Sequence, residues 1–95
     1  MGGKLSAEDR ITAPTWHVFT DFTNEIDLTD GSQGPTGVCA RAIQVLTAGT
    51  LVVKRLDGGS ETLTGLPLGF QLAGACSAIK KASDGTTVTA LIAFW

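Results

Sequence analysis

Tyrosine is absent from this chain, histidine occurs once and cysteine twice, and each scarcity removes a class of chemistry. The aromatics Trp16, Phe19, Phe22, Phe70, Phe94 and Trp95 do not alternate with basic residues, so the stacking platform of a single-strand nucleic-acid binder is not expected. The lone His17 needs cysteine or carboxylate help to hold a metal, and Asp21 lies four strand residues on, about 13 Å away. Cys39 stands between Val38 and Ala40 with neither a CxxC spacing nor a nearby histidine, so nothing marks it as a nucleophile. Cys39 and Cys76 read as buried free thiols acting as small apolar groups, with a disulfide between strands left open because sequence does not fix their separation.

Charge is scarce as well. Charged residues are 17% of the chain and the net charge is −2, against a usual charged share of ~25%. The pairs Lys54-Arg55 and Lys80-Lys81 make no basic patch, because neighbours on a strand point to opposite faces, and nucleic acid is not an expected partner. A weakly charged surface on a chain that is 43% hydrophobic suggests that a partner covers part of it. No apolar stretch follows Met1-Gly2-Gly3-Lys4, and no run approaches the ~20 residues of a membrane span. Neither a signal peptide nor a membrane partner is expected, and the spacing after Gly2 gives little support to lipidation.

The remaining motifs lack the parts their chemistry needs. Glu25, Asp27 and Asp30 alternate into a loop, but a calcium loop is built on twelve residues around a central glycine and closed by glutamate. Here the next acidic residue is Asp57. The GSQGPTG stretch has no Lys-Ser/Thr and no helix after it, so it is not a phosphate loop. No catalytic residue, no metal ligand set and no cofactor are expected, and the chain is not expected to be an enzyme.

What the sequence does contain is strand and turn. Residues 1–14 read as an extended N-terminal arm, with Leu5 and Ile11 as apolar contacts for a neighbour. Residues 15–95 read as a single domain, and a chain of this size buries roughly 60–65% of its accessible surface on folding. In 15–22, Trp16, Val18, Thr20 and Phe22 share the more apolar strand face, and His17, Phe19 and Asp21 share the other. Ile26 and Leu28 point inward in the next piece. Residues 29–37 form the longest loop, expected to be mobile. Val38 to Thr47 is expected to be a central strand apolar on both faces. Thr50 to Leu56 and Ser60 to Leu66 form a hairpin about Asp57-Gly58-Gly59. Pro67-Leu68-Gly69 turns into a strand over 70–81, with Gly74 marking a bulge. After Ser83-Asp84-Gly85 the closing strand TTVTALIAFW sets Val88, Ala90, Ile92 and Phe94 on one face and Leu91, Ala93 and Trp95 on the other. Roughly six to eight short strands at about ten-residue spacing describe an all-β fold: a small antiparallel β-sandwich, jelly-roll-like or barrel-like. Trp16 and Trp95 are either core residues or interface anchors, because tryptophan is enriched at subunit contacts. The low-charge, site-free surface names Leu5, Ile11, Trp16, Phe19 and Trp95 as interface candidates.

From Cys39 to Trp95 the stretches ARAIQVLTAGTLVVKRLDGG, ETLTGLPLGFQL and TTVTALIAFW resemble the small head-spike base proteins of tailed phages and gene transfer agents. The shared order is an ARA-apolar strand, a TAG-type turn, a β-hairpin, a G-apolar-P-x-G turn and a last apolar strand with an aromatic end. The resemblance implies a virion protein made in the host cytoplasm, sited on the capsid surface as a decoration or head-spike base subunit. It implies as partners other copies of itself, in a trimer or pentamer, the major capsid protein and a fibre protein. Two other readings stand beside it. One is a phage tail component. The other is a carbohydrate-binding sandwich using Trp16 or Trp95 with the 29–37 loop.

Overall fold

A computed structural model describes residues 15–95; the expected arm at 1–14, with Leu5 and Ile11, lies outside the described residues. Eight strands run in chain order as β1 (Trp16–Phe19), β2 (Ile26–Asp27), β3 (Ala42–Val45), β4 (Gly49–Lys54), β5 (Ser60–Leu66), β6 (Gln71–Leu72), β7 (Ala78–Ile79) and β8 (Leu91–Phe94). They form two four-stranded sheets, β1-β8-β3-β6 and β2-β7-β4-β5, and every pairing is antiparallel. The fold is the expected small all-β sandwich. Only β4 and β5 follow one another within one sheet; each other connection passes from sheet to sheet.

The core lies between the sheets. Ile43, Val45, Leu91, Ala93 and Trp95 enter it from the first sheet, and Leu51, Val53 and Ile79 from the second, with Phe22, Leu28 and Val88 closing its margins. Short-range chemistry sets the turns. At Asp21, Asp27 and Asp30 the carboxylate accepts both the backbone N–H and the hydroxyl of the residue two further on, Thr23, Thr29 and Ser32, at 2.7–3.0 Å. Such local bonds offer the backbone an alternative to the ladder and bend it. The Asp57-Gly58-Gly59 hairpin forms as expected: the Arg55 N–H donates to Gly59 O at 2.8 Å, and the Asp57 carboxylate takes the Gly59 N–H at 2.8 Å.

Three points depart from or sharpen the sequence reading. First, the apolar Trp16 face of β1 points out, with Trp16 58% and Val18 44% exposed, while Phe19, the interface candidate on the opposite face, packs against the core. Residues 20–25 are outside any strand, so Phe22 no longer shares that parity and reaches the core independently. Second, the single strand expected over 70–81 is two strands in different sheets, with Gly74 in the crossing between β6 and β7. Third, the closing strand is four residues, not ten. Its first half is crossing between sheets, and threonine hydroxyls stand in for ladder partners there. Thr86 Oγ1 accepts the Val52 N–H at 3.2 Å, Thr87 Oγ1 the Thr50 N–H at 2.8 Å, and Thr47 Oγ1 the Thr89 N–H at 2.8 Å.

Candidate interaction surface

The titratable groups are tied into structure. Glu25 faces two lysines, with Lys80 Nζ at 2.9 Å and Lys54 Nζ at 3.6 Å, and Lys80 also lies 3.9 Å from Asp84. The bond from Lys80 holds the Glu25 carboxyl below its usual range and holds the ammonium above its own. The bonds from Thr23 and Ser32 lower Asp21 and Asp30, and the Gly59 N–H, helped by Arg55, lowers Asp57. Carboxylates committed in this way serve turns and ion pairs. Among the described residues no three His, Cys, Asp or Glu side chains are grouped to hold a metal ion. His17 stacks edge-on against Phe19 at 4.7 Å. Both cysteines are free thiols, as expected, but only Cys76 is buried and Cys39 is half-buried. Burial pushes the Cys76 thiol up to about 11, with Cys39 adding to the shift.

Trp95, expected as a subunit contact, is consumed within its own chain. It is 2% exposed, and its indole N–H donates to Leu28 O at 2.7 Å. The loop at 29–37 closes over it: a Cβ at Gly34 would stand 2.5 Å from the indole ring. That loop is also pinned at its base by the Gly37 N–H on Thr29 O at 2.7 Å. The burial that makes Trp95 a good core residue removes it as a docking anchor. Phe19 lies 6.3 Å from the Trp95 ring and shares that interior.

What remains open is the outer face of the first sheet. Register places Trp16 beside Phe94 and Val18 beside Ile92, and then Phe94 beside Ala42 and Ile92 beside Gln44. These residues alternate with the core-facing set, so Trp16, Val18, Ile92 and Phe94 form one apolar surface on β1 and β8, with Ala42 of β3 buried beside Phe94 at 4% exposure. Gln44 on β3 and the exposed Leu46 just beyond it continue the face. The other sheet contrasts with it. Beyond Ile26, Val53 and Ile79 its outer side carries the Glu25–Lys80–Lys54 ion pairs. One exposed face is built for water and the other is not.

Sequence reasoning named Trp16 as an interface candidate and grouped Ile92 with Phe94 on one strand face, but did not say that this face points outward. The signal was the closing strand, apolar on both parities, in a fold where each sheet has only one packed side.

No protein-family model matches the chain, and no curated protein matches it. Among solved structures the chain is similar to a chain in one described as the capsid of a native GTA particle computed with C5 symmetry. The two share 27% identity over 74% of this chain and 80% of that one, with a TM-score of 0.48.

Proposed function

We propose that this chain is a non-enzymatic structural subunit of a phage-like particle, a capsid-surface decoration or head-spike base. It associates with copies of itself and with the capsid, and the Trp16–Phe94 face is a contact surface. The observation that carries the reading is the asymmetry of the sandwich, with an ion-paired outer face on one sheet and an apolar outer face on the other. Apolar patches on a small domain mark places where a partner sits, and an exposed tryptophan beside a phenylalanine is the kind of anchor such contacts use. The order of the ARAIQV, TAGT, LPLG and IAFW stretches supports the capsid setting over other assemblies.

Two substitutions on the face test the idea. Trp16→Glu and Val18→Glu change exposed side chains, so the far-ultraviolet circular dichroism should be unchanged. Co-sedimentation with particles lacking the native subunit should be lost. Retained attachment in both variants would sink the assignment of this face. Copy number per particle separates the sub-readings: a few tens indicates vertices and hundreds a lattice-wide layer, whereas recovery with tails alone indicates a tail component. The carbohydrate-binding reading loses half its site, because Trp95 lies beneath the loop that was to frame it.

A further inference from the structure

The strands β5 and β6 are edges of different sheets on the same side of the sandwich, and they do not close on each other. Between them is a cavity of about 250 Å³ lined by Val53, Leu63, Leu72, Gly74 and Cys76. Its mouth carries the Arg55–Glu61 pair, at 2.9 Å. The volume falls below the ~300–1,000 Å³ of small-molecule sites, and the lining is aliphatic, so its natural occupant is a single apolar side chain.

The adjoining backbone states how that side chain arrives. Arg55 and Gly59 form a bonded pair, and the register continues Lys54 with Ser60, Val53 with Glu61 and Val52 with Thr62. Bonded and non-bonded pairs alternate in an antiparallel ladder. The N–H and C=O groups of Ser60 and Thr62 therefore face away from β4, toward the open edge. An edge with outward backbone groups beside an apolar slot is the geometry of strand addition.

We propose that this edge is a strand-addition site filled by the N-terminal segment, residues 1–14, of a second copy of the chain, with Leu5 entering the cavity. The inference rests on the reading of the chain as a self-associating subunit, and it names the segment and the site. The segment suits the site in two ways. Leu5 is flanked by Lys4 and Ser6, so it supplies one large apolar side chain between polar neighbours. Leu5 also lies nine residues before Pro14, a reach of up to about 30 Å at ~3.3 Å per residue. A neighbour is favoured over the same subunit by where the segment starts. Thr15 is held by the Trp95 N–H at 2.9 Å, beside β1, at the opposite edge of its sheet from β6. The segment would have to cross three strand spacings, about 14 Å, and then reverse along β5. Pro14 has no N–H with which to extend a ladder in that direction.

Gly74 provides the test. A Cβ there meets only Leu72 Cδ1, at 3.9 Å, so Gly74→Leu grows into the cavity and fills it from within. The full-length variant should fold with thermal stability at or above that of the parent, and light scattering should show its mass falling to one copy. Leu5→Asp should cause the same fall from the other side. A one-to-one mixture of the two should regain a two-copy complex, because one chain keeps the cavity and the other keeps Leu5. A parent of one-copy mass overturns the proposal. So does unchanged assembly of Gly74→Leu, or a mixture that stays at one copy, as it would if each segment filled its own cavity. If Gly74→Leu does not fold, Thr62→Pro removes an outward N–H and should give the same loss. Trp16→Glu chains should still pass the mixing test. Failure to bind particles with the mixing result intact removes the capsid reading and leaves this one standing.

Discussion

Gly34→Ala adds one methyl group, and the structure says that methyl has nowhere to go. The new carbon would lie 2.5 Å from Cγ and Cδ2 and 2.6 Å from Cε2 of Trp95. The ring cannot easily yield: it is buried, rigid, and held by its bond to Leu28 O. If the ring turns, a buried carbonyl loses its partner, which costs about 1–3 kcal/mol. If the loop lifts instead, it surrenders its contact with the largest side chain of the core. Overpacking of this kind costs about 1–3 kcal/mol, and in a domain of this size 1 kcal/mol moves the melting temperature by about 4–8 °C. Urea denaturation and thermal melts should therefore show a loss of about 1–3 kcal/mol and a fall of roughly 5–20 °C. Gly58→Ala is the comparison. Gly58 has φ +88° and nothing within 4 Å of its Cβ position, so its cost is backbone strain alone, about 1–2 kcal/mol. A double-mutant cycle then isolates the ring. In a Trp95→Leu background the clash is relieved, and Gly34→Ala should cost under about 0.5 kcal/mol while Gly58→Ala costs what it did before. Equal penalties for Gly34→Ala in both backgrounds would refute the reasoning.

Other consequences are open to direct measurement. Glu25 has a lowered folded-state pKa, so the stability it contributes is present above pH 4.5, its ordinary value, and disappears as pH falls through the lower folded value. Lys80 is raised above 10.5, so its share is complete below that pH and is lost on the alkaline side. Glu25→Gln should be less stable than the parent at pH 7 and equal to it near pH 2, and the gap should shrink in high salt; a gap that persists in acid would contradict the ion-pair account. Iodoacetamide at pH 8 should label Cys39 before Cys76, whose thiol burial holds protonated, with peptide mass spectrometry reading the order; comparable rates would mean that the core opens at Cys76. Acrylamide should quench the exposed Trp16 and spare Trp95, so a Trp16→Phe chain should keep a blue-shifted emission that resists quenching unless the 29–37 loop opens.

The parts of the fold legible in sequence were those fixed by neighbours in the chain. The β4–β5 hairpin, the turn at Pro67-Leu68-Gly69 and the turn at Ser83-Asp84-Gly85 lie where composition placed them, because glycine and aspartate act within a few residues. Which sheet a strand joins is set by partners far away in sequence. Gly74 therefore read as a bulge in one strand when it lies between two, and the TTVT run read as strand because hydroxyls that replace ladder partners look like ordinary β-formers. The candidate surface was legible as composition but not as direction. Alternation shows that Trp16 and Val18 share a face; it does not show which face the second sheet covers. Gly34 carried no signal of its own among the glycines of its loop. Its need for a bare Cα comes from a ring some sixty residues on.

The order β1-β8-β3-β6 has a consequence in time. The first strand of the described chain pairs only with the last, and the partners Trp16 and Phe94 stand 78 residues apart (94 − 16). At roughly 5–20 residues per second of synthesis, β1 waits several seconds beside the ribosome before its neighbour exists. The Trp16–Phe94 face does not exist either until that strand arrives. The face is thus a property of the chain only once β8 lies between β1 and β3, and every earlier stage of synthesis leaves Trp16 and Val18 without their apolar neighbours.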